Sequence, residues 1–228
     1  MTDPVIIAIP SKGRLMEKAE ELFAGAGLAI ERIGDARGYR GRLSGVEGVE
    51  VAFLSAGEIA HKLGDGSVHM GVTGIDLLRE HIADTDEKID LVRRLDFGHA
   101  DVVVAVPECW FDVDTMADLD EVSERFYQRH KRRMRVATKY LNVTRRFFNR
   151  KGVTGYRTVD SLGATEGAPA AGVAELIVDI TSTGSTLKAN KLKILDDGLI
   201  LKSEACLSVV KGEDQQAGPL RDVLARLG

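Results

Sequence analysis

The sequence predicts an α/β protein of two lobes, and three observations carry that prediction. Short runs rich in Val, Ile and Leu alternate with stretches of helical period along the 228 residues, the pattern of βαβ units with parallel sheets. Runs such as Val102-Val103-Val104-Ala105-Val106 are apolar at every position, as in sheets covered on both faces. Phe97-Gly98-His99 breaks the pattern near mid-chain and reads as a hinge.

The elements follow in order. Val5–Ile9 reads as a strand. Leu15, Ala19, Leu22, Phe23 and Ala26 share one helical face, and Gly27 suits the position after a helix end. Val49–Leu54 is a strand, Glu58–Leu63 a short helix, Val68–Val72 a strand and Ile75–His81 a helix. Ile89–Leu95 and Asp101–Val106 are strands, Asp118–His130 a helix, Met134–Thr138 a strand, Leu141–Arg150 a helix and Gly155–Val159 a strand. Glu175–Asp179 is a strand, a helix lies near Gly184–Asn190, and Leu192–Leu195 and Leu199–Val210 are extended. The expected lobes are 1–98 with 194–228, and 99–193. Ligands of such folds sit beyond the carboxyl ends of the strands, often between lobes.

Composition narrows the class. Hydrophobic residues make up 44% and charged residues 29%, ordinary for a globular protein. A net charge of −4, from 31 basic and 35 acidic residues, gives no general attraction to nucleic acid. The basic run from Arg129 to Arg135 reads as a solvated helix end. Cys109 and Cys206 match no metal or redox spacing and are expected to be reduced and buried. Met1-Thr2-Asp3-Pro4 is unlike a signal peptide, and no run reaches membrane-spanning length. The expected place is the cytoplasm, with no membrane partner.

Four loops could carry chemistry. The segment 179–186 holds Asp179, Thr181, Ser182, Thr183, Gly184, Ser185 and Thr186. Its hydroxyls, its backbone N–H groups and a helix start point to an anion site, and Gly184 lets the backbone come close. Helix capping alone would need only one or two such hydroxyls. Asp179 would repel a bare phosphate, so it suits a sugar hydroxyl or a metal. A phosphorylated ribose satisfies both features, although Ile180 stands where the general phosphoribosyltransferase signature has a second acid.

The second loop, Pro10-Ser11-Lys12-Gly13-Arg14, puts two cations and a glycine where a strand meets a helix. Lys12 and Arg14 can meet phosphate oxygens, or they can be solvated beside a helix cap. The third, Gly71-Val72-Thr73-Gly74-Ile75-Asp76, also follows a strand. Its glycines would bring backbone near a ligand, and Asp76 could take a base, ribose or metal, or cap the next helix. The fourth runs from Ser161 to Pro169. In it Glu166 could contact a metal or ribose, or be a surface charge.

Taken together, IPSKGRL (9–15), GVTGIDLL (71–78), VATKYLNVTRRFF (136–148), GATEGAP (163–169) and VDITSTGSTLKAN (178–190) resemble ATP phosphoribosyltransferase, the first enzyme of histidine biosynthesis, over nearly the whole chain. The resemblance implies two lobes like type II periplasmic binding proteins, with the active site in the cleft between them. It implies transfer of phosphoribose from phosphoribosyl pyrophosphate to N1 of ATP, with Mg²⁺. It places the ribose and 5′-phosphate at Asp179 and Thr181–Thr186 in the second lobe. Ser11, Lys12, Gly13, Arg14, Thr73, Gly74 and Asp76 fall on the ATP side in the first, with Lys12 and Arg14 acting electrostatically. Asp179 and Glu166 are the metal candidates. No protein nucleophile is expected.

Family members come in a long form with a C-terminal regulatory domain and in a short form that works with a separate subunit resembling histidyl-tRNA synthetase. The segment after Val210 suggests the short form, as a homodimer within a hetero-oligomer. Many members carry an arginine where this chain has Ser55. Arg37, Arg40 and Arg42 are the candidates to replace it. A two-lobed solute-binding protein and a phosphoribosyltransferase for another base are the alternatives.

Overall fold

The structure, a computed structural model, describes residues 4–34, 38–161, 163–212 and 218–228. Met1-Thr2-Asp3, Arg37 and Leu162 therefore lie outside the described residues. The chain divides into two compact units, Met1–Gly98 with Glu204–Gly228, and His99–Ser203.

In the first unit β1 (Val5–Pro10) lies between β4 (Val49–Leu54) and β5 (Met70–Gly74), parallel to both. β2 (Ile30–Arg32) and β3 (Arg40–Leu43) extend the sheet beyond β4, and β12 (Ala205–Val210) and β6 (Ile89–Arg94) extend it beyond β5. All these outer pairings are antiparallel. The sheet is therefore mixed rather than parallel, with parallel pairing confined to β4, β1 and β5.

α1 (Gly13–Gly25) buries Ala19 and Phe23 against Ile7, Ile9, Val51 and Phe53. The C-terminal helix α8 (Gly218–Leu227), absent from the sequence reading, adds Leu220, Val223 and Leu227 to the same core. α2 (Ala56–Gly64) starts with a capping box in which Ser55 and Glu58 satisfy each other's backbone. α2 packs closely on β5: a Cβ at Gly71 would lie 2.6 Å from the Ile59 side chain. That glycine makes room for a helix, not for a ligand. α3 (Ile75–His81) and α4 (Thr85–Lys88) complete the unit among the described residues.

The second unit carries β7 (Ala100–Pro107), β8 (Met134–Thr138), β9 (Tyr156–Asp160), β10 (Leu176–Thr181) and β11 (Leu192–Ser203), in the order β11-β7-β10-β8-β9. β10, β8 and β9 run parallel, and β7 is antiparallel to β10 and β11. β11 pairs with β7 as far as Ser203↔Ala100. The chain thus returns to the first unit after Ser203 and not near residue 194. α5 (Met116–His130), α6 (Leu141–Arg150) and α7 (Ser185–Ala189) pack here.

Cys206 is buried as expected, but Cys109 is exposed, because it sits in the turn that follows β7. The basic run is not simply a solvated end either. Arg135 lies in β8, and with Arg132 it grips Glu175, at 2.7 Å and 3.1 Å. Burial pushes the Glu175 carboxyl up, but the bonds from Arg135 and Arg132 outweigh it and hold the group at about 2. Its folded value lies below the ordinary 4.5, so its stabilising effect is complete above that value and fades as pH falls toward 2. Glu175→Gln is expected to cost about 1–3 kcal/mol at neutral pH. Urea melts along a pH series should show that difference shrinking as the medium becomes more acid.

Candidate active site

In the first unit the carboxyl ends of β4, β1 and β5 share one edge, since these strands are parallel. β1 is also where the chain switches direction through the sheet: from β1 it reaches β4 on one side, then returns past it to β5 on the other. Such points are where ligands gather in open α/β sheets. The loop Ser11–Arg14 leaves β1 there, and Gly74–Asp76 leaves β5 at the same edge.

Lys12 is the N-cap of α1, and its side chain makes no capping bond. No acidic residue stands in the first turn, and both Lys12 and Arg14 are exposed. Gly13, at φ 74°, takes the left-handed turn that starts the helix. A 13-residue helix thus presents an uncapped positive end flanked by two cations, the arrangement that suits polyphosphate. By contrast, the N-termini of α2 and α5 are closed by capping boxes.

Thr73 and Asp76 are both buried. Thr73 is buried and its hydroxyl donates to the Ala56 carbonyl at 2.8 Å. It fastens β5 to α2 and offers nothing outward. Asp76 is only 5% exposed. Gly74, the N-cap of α3, is the partly exposed member of this loop.

In the second unit the carboxyl ends of β8, β9 and β10 share an edge. The switch point here lies between β8 and β10, because β9 is on the far side of β8. Asp179 is not the last residue of its strand. β10 continues through Ile180 and Thr181, paired with Val102 and Asp101, so Asp179 is half-buried inside the sheet's end. Its Oδ1 accepts from the Ile180 N–H at 2.9 Å. Burial pushes the carboxyl above its ordinary 3.8, and the negative charge of Glu166 adds to the rise. The Ile180 N–H, the Lys139 charge and a bond from Thr165 oppose it.

The loop beyond β10 is braced from within. Thr181 Oγ1 accepts from the Gly184 N–H at 2.9 Å, and Thr183 Oγ1 accepts from the Ser185 N–H at 3.3 Å. Thr183 and Ser185 hydroxyls pair at 2.8 Å, and Ser182 donates to the His99 carbonyl at 3.0 Å. Gly184 adopts φ 72° as the N-cap of α7. Since α7 has only 5 residues, its dipole is weak. The attraction for an anion resides in the loop's own N–H groups and hydroxyls, including the exposed Thr186.

Glu166 sits in a 3-10 turn, Thr165–Gly167, close enough to Asp179 for their charges to interact. A carboxylate whose ionisation a second carboxylate opposes suits a divalent cation, which one or two carboxylates plus ligand phosphates hold. The donor set therefore fits a metal. Lys139, directly after β8, and Thr165 were not singled out from sequence. The signal for Lys139 was its place between a strand and a helix, the same grammar that marked Lys12.

Residues 55–228 match the family model HisG, described as ATP phosphoribosyltransferase. An ATP phosphoribosyltransferase of Mesorhizobium japonicum is 58% identical over 98% of this chain and 97% of its own length. One from Rhodopseudomonas palustris is 59% identical over 96% of this chain and 68% of its own length. Among solved structures, the ATP phosphoribosyl transferase (HisG:HisZ) complex from Thermotoga maritima aligns with TM-score 0.73 and 26% identity over 98% of this chain and 93% of that one. The arginine-bound ArgBP of T. maritima aligns with TM-score 0.54 at 12% identity over 99% and 93%. That second likeness concerns fold alone, the one expected of periplasmic-binding-protein-like units.

Proposed function

The chain belongs to the ATP phosphoribosyltransferase family, and from that premise we propose how its two units divide the reaction. The activity is transfer of 5-phosphoribose from phosphoribosyl pyrophosphate to N1 of ATP, with release of pyrophosphate, in the first step of histidine biosynthesis. The second unit takes the phosphoribosyl group: the Thr181–Thr186 loop receives the 5′-phosphate and Asp179 accepts from ribose hydroxyls. The first unit takes ATP, with Lys12 and Arg14 at the open end of α1 and Ser11, Gly13 and Gly74 around it. The observation that carries this reading is Asp179, a carboxylate kept partly buried beside Glu166 at the foot of a hydroxyl-rich loop. Carboxylates whose ionisation is made costly by burial and a like charge gather at functional sites.

N1 of adenine attacks C1′ as the bond to pyrophosphate breaks, and the bond's electron pair leaves with pyrophosphate. No residue of the chain needs to act as nucleophile. What the protein supplies is alignment of two polyanions, which accounts for ~7–11 kcal/mol in well-oriented reactions, and charge against the departing oxygens. Mg²⁺, held by Asp179 and Glu166, would neutralise part of the pyrophosphate charge. No helix among the described residues is long and apolar enough to cross a membrane, and the expected place of action is the cytoplasm, where ATP is at hand.

Pyrophosphate release is the direct check. It should require ATP and phosphoribosyl pyrophosphate together. Release that proceeds with a free base and not with ATP would instead make this a phosphoribosyltransferase of different specificity.

The proposed assembly is a homodimer joined to a separate regulatory subunit resembling histidyl-tRNA synthetase. The Thermotoga protein is solved as a HisG:HisZ complex, which supports it. The chain alone is expected to be weakly inhibited by histidine or not at all. Strong inhibition of the pure chain would remove the need for that partner.

A further inference from the structure

The Ser55 position cannot serve as an anion contact in this chain. The Glu58 carboxylate occupies it, accepting from the Ser55 N–H at 3.0 Å and the Ser55 hydroxyl at 2.8 Å. β3 does not supply the replacement. Its burial alternates, with Gly41 and Leu43 inward and Arg40 and Arg42 outward. Arg40 and Arg42 therefore lie on the face opposite the core that contains α1. Arg42 is also engaged with Glu31 at 2.8 Å.

One arginine does stand on the α1 face. Arg32 in β2 pairs with Gly41 of β3, and its guanidinium carbon lies over the Phe53 ring, 3.6 Å from the centroid. Gly41 makes this possible, since a Cβ there would come within 3.1 Å of the Phe53 ring and 2.8 Å of the Glu31 carbonyl. The guanidinium donates to the Gly38 carbonyl at 3.2 Å and meets the Met16 sulfur at 3.1 Å. Its ion pair with Glu20 is long, at 4.0 Å, and that carboxylate is partly exposed. Arg32, Phe53 and Tyr39 line a cavity of ≈ 510 Å³ together with Ser11, Lys12 and Gly13.

We propose that Arg32, held over Phe53 beside Lys12, is the arginine that grips polyphosphate in the first unit. This rests on the reading of the Ser11–Arg14 loop as the nucleotide side. A guanidinium fixed by stacking loses little further freedom on binding, and its planar fork matches two phosphate oxygens at once. Its side chain is 24% exposed, so it is reachable yet partly desolvated, which strengthens bonds to an anion. The polyphosphate is either the triphosphate of ATP or the pyrophosphate of phosphoribosyl pyrophosphate.

Calorimetric binding of each ligand to the full chain distinguishes the two. Arg32→Met keeps the apolar cover on Phe53 and removes the charge. It should weaken one of the two ligands about ten- to hundredfold, with a melting temperature within about 4 °C of wild type. Loss for ATP identifies the triphosphate, and loss for phosphoribosyl pyrophosphate identifies its pyrophosphate. Arg32→Lys should recover only part, because a point charge lacks the fork. It decides the question alone if the Met variant does not fold: wild-type affinity for both ligands would overturn the proposal. If Arg32→Met binds both ligands normally while Lys12→Ala loses ATP, Arg32 is structural and the nucleotide reading stands. If both variants bind ATP normally, that reading falls too.

Discussion

Asp179→Asn is expected to lower turnover at least about hundredfold while leaving the melting temperature equal to or above that of the parent protein. The two halves of this expectation have one origin. Burial, with Glu166 nearby, pushes the Asp179 carboxyl above 3.8. An acid whose folded value is raised stabilises the fold only when protonated, so that contribution is lost as pH rises through the raised value. At neutral pH the ionised group is therefore a burden on the fold. Asparagine fills the same space without charge and can still accept from the Ile180 N–H.

Catalysis loses what the fold gains. The amide cannot hold a metal as the carboxylate does, and it weakens the grip on the ribose hydroxyls. A small misplacement of the reacting carbon is enough for losses of order 10². The check is turnover and thermal midpoint on one preparation. Normal activity would remove Asp179 from the ribose site. Lost activity with a collapsed midpoint would make its role structural.

Lys12→Ala is expected to raise the KM for ATP about ten- to hundredfold with little change in stability. Charge-assisted bonds of this kind contribute ~1.5–3 kcal/mol. The side chain caps nothing in α1 and is exposed, so the fold does not depend on it. Raising the salt concentration should narrow the gap between parent and variant, because screening removes from the parent part of what the variant already lacks. A KM for ATP that stays within twofold at low salt would move the nucleotide away from this loop.

Much of this was legible in the residues. β4, α3, β8 and α6 have the bounds read from pattern, because each joins a clear period to a clear stop. The loops beyond β1, β5 and β10 were recognised by their grammar: a strand, then Gly, Ser, Thr or cations, then a helix. β2 and β3 were not, since they are 3 and 4 residues long and carry Glu31, Arg32, Arg40 and Arg42 in place of alternating apolar residues. Their positions come from pairing with β4, which is tertiary information. α8 carries its signal in the spacing of Leu220, Val223 and Leu227, which share one helical face.

In the loop beyond β5, Thr73 and Gly71 are ambiguous in sequence for one reason. A small or polar residue after a strand can serve a ligand or let a helix come close, and only the packing of α2 on β5 decides between them. Arg32 illustrates the converse. Nothing in its local sequence marks it. Its place depends on Gly41 and Phe53, which follow it by 9 and 21 positions in the chain.

The most direct test of the account is the ultraviolet spectrum of a mixture of the chain, ATP, phosphoribosyl pyrophosphate and Mg²⁺. It should be recorded with and without the regulatory subunit, and against the Asp179→Asn variant. The account predicts a new adenine chromophore, from substitution at N1, that needs both substrates and is all but lost in the variant. Consumption of phosphoribosyl pyrophosphate with an unchanged adenine spectrum, or a chromophore that forms equally well with Asp179→Asn, would contradict it.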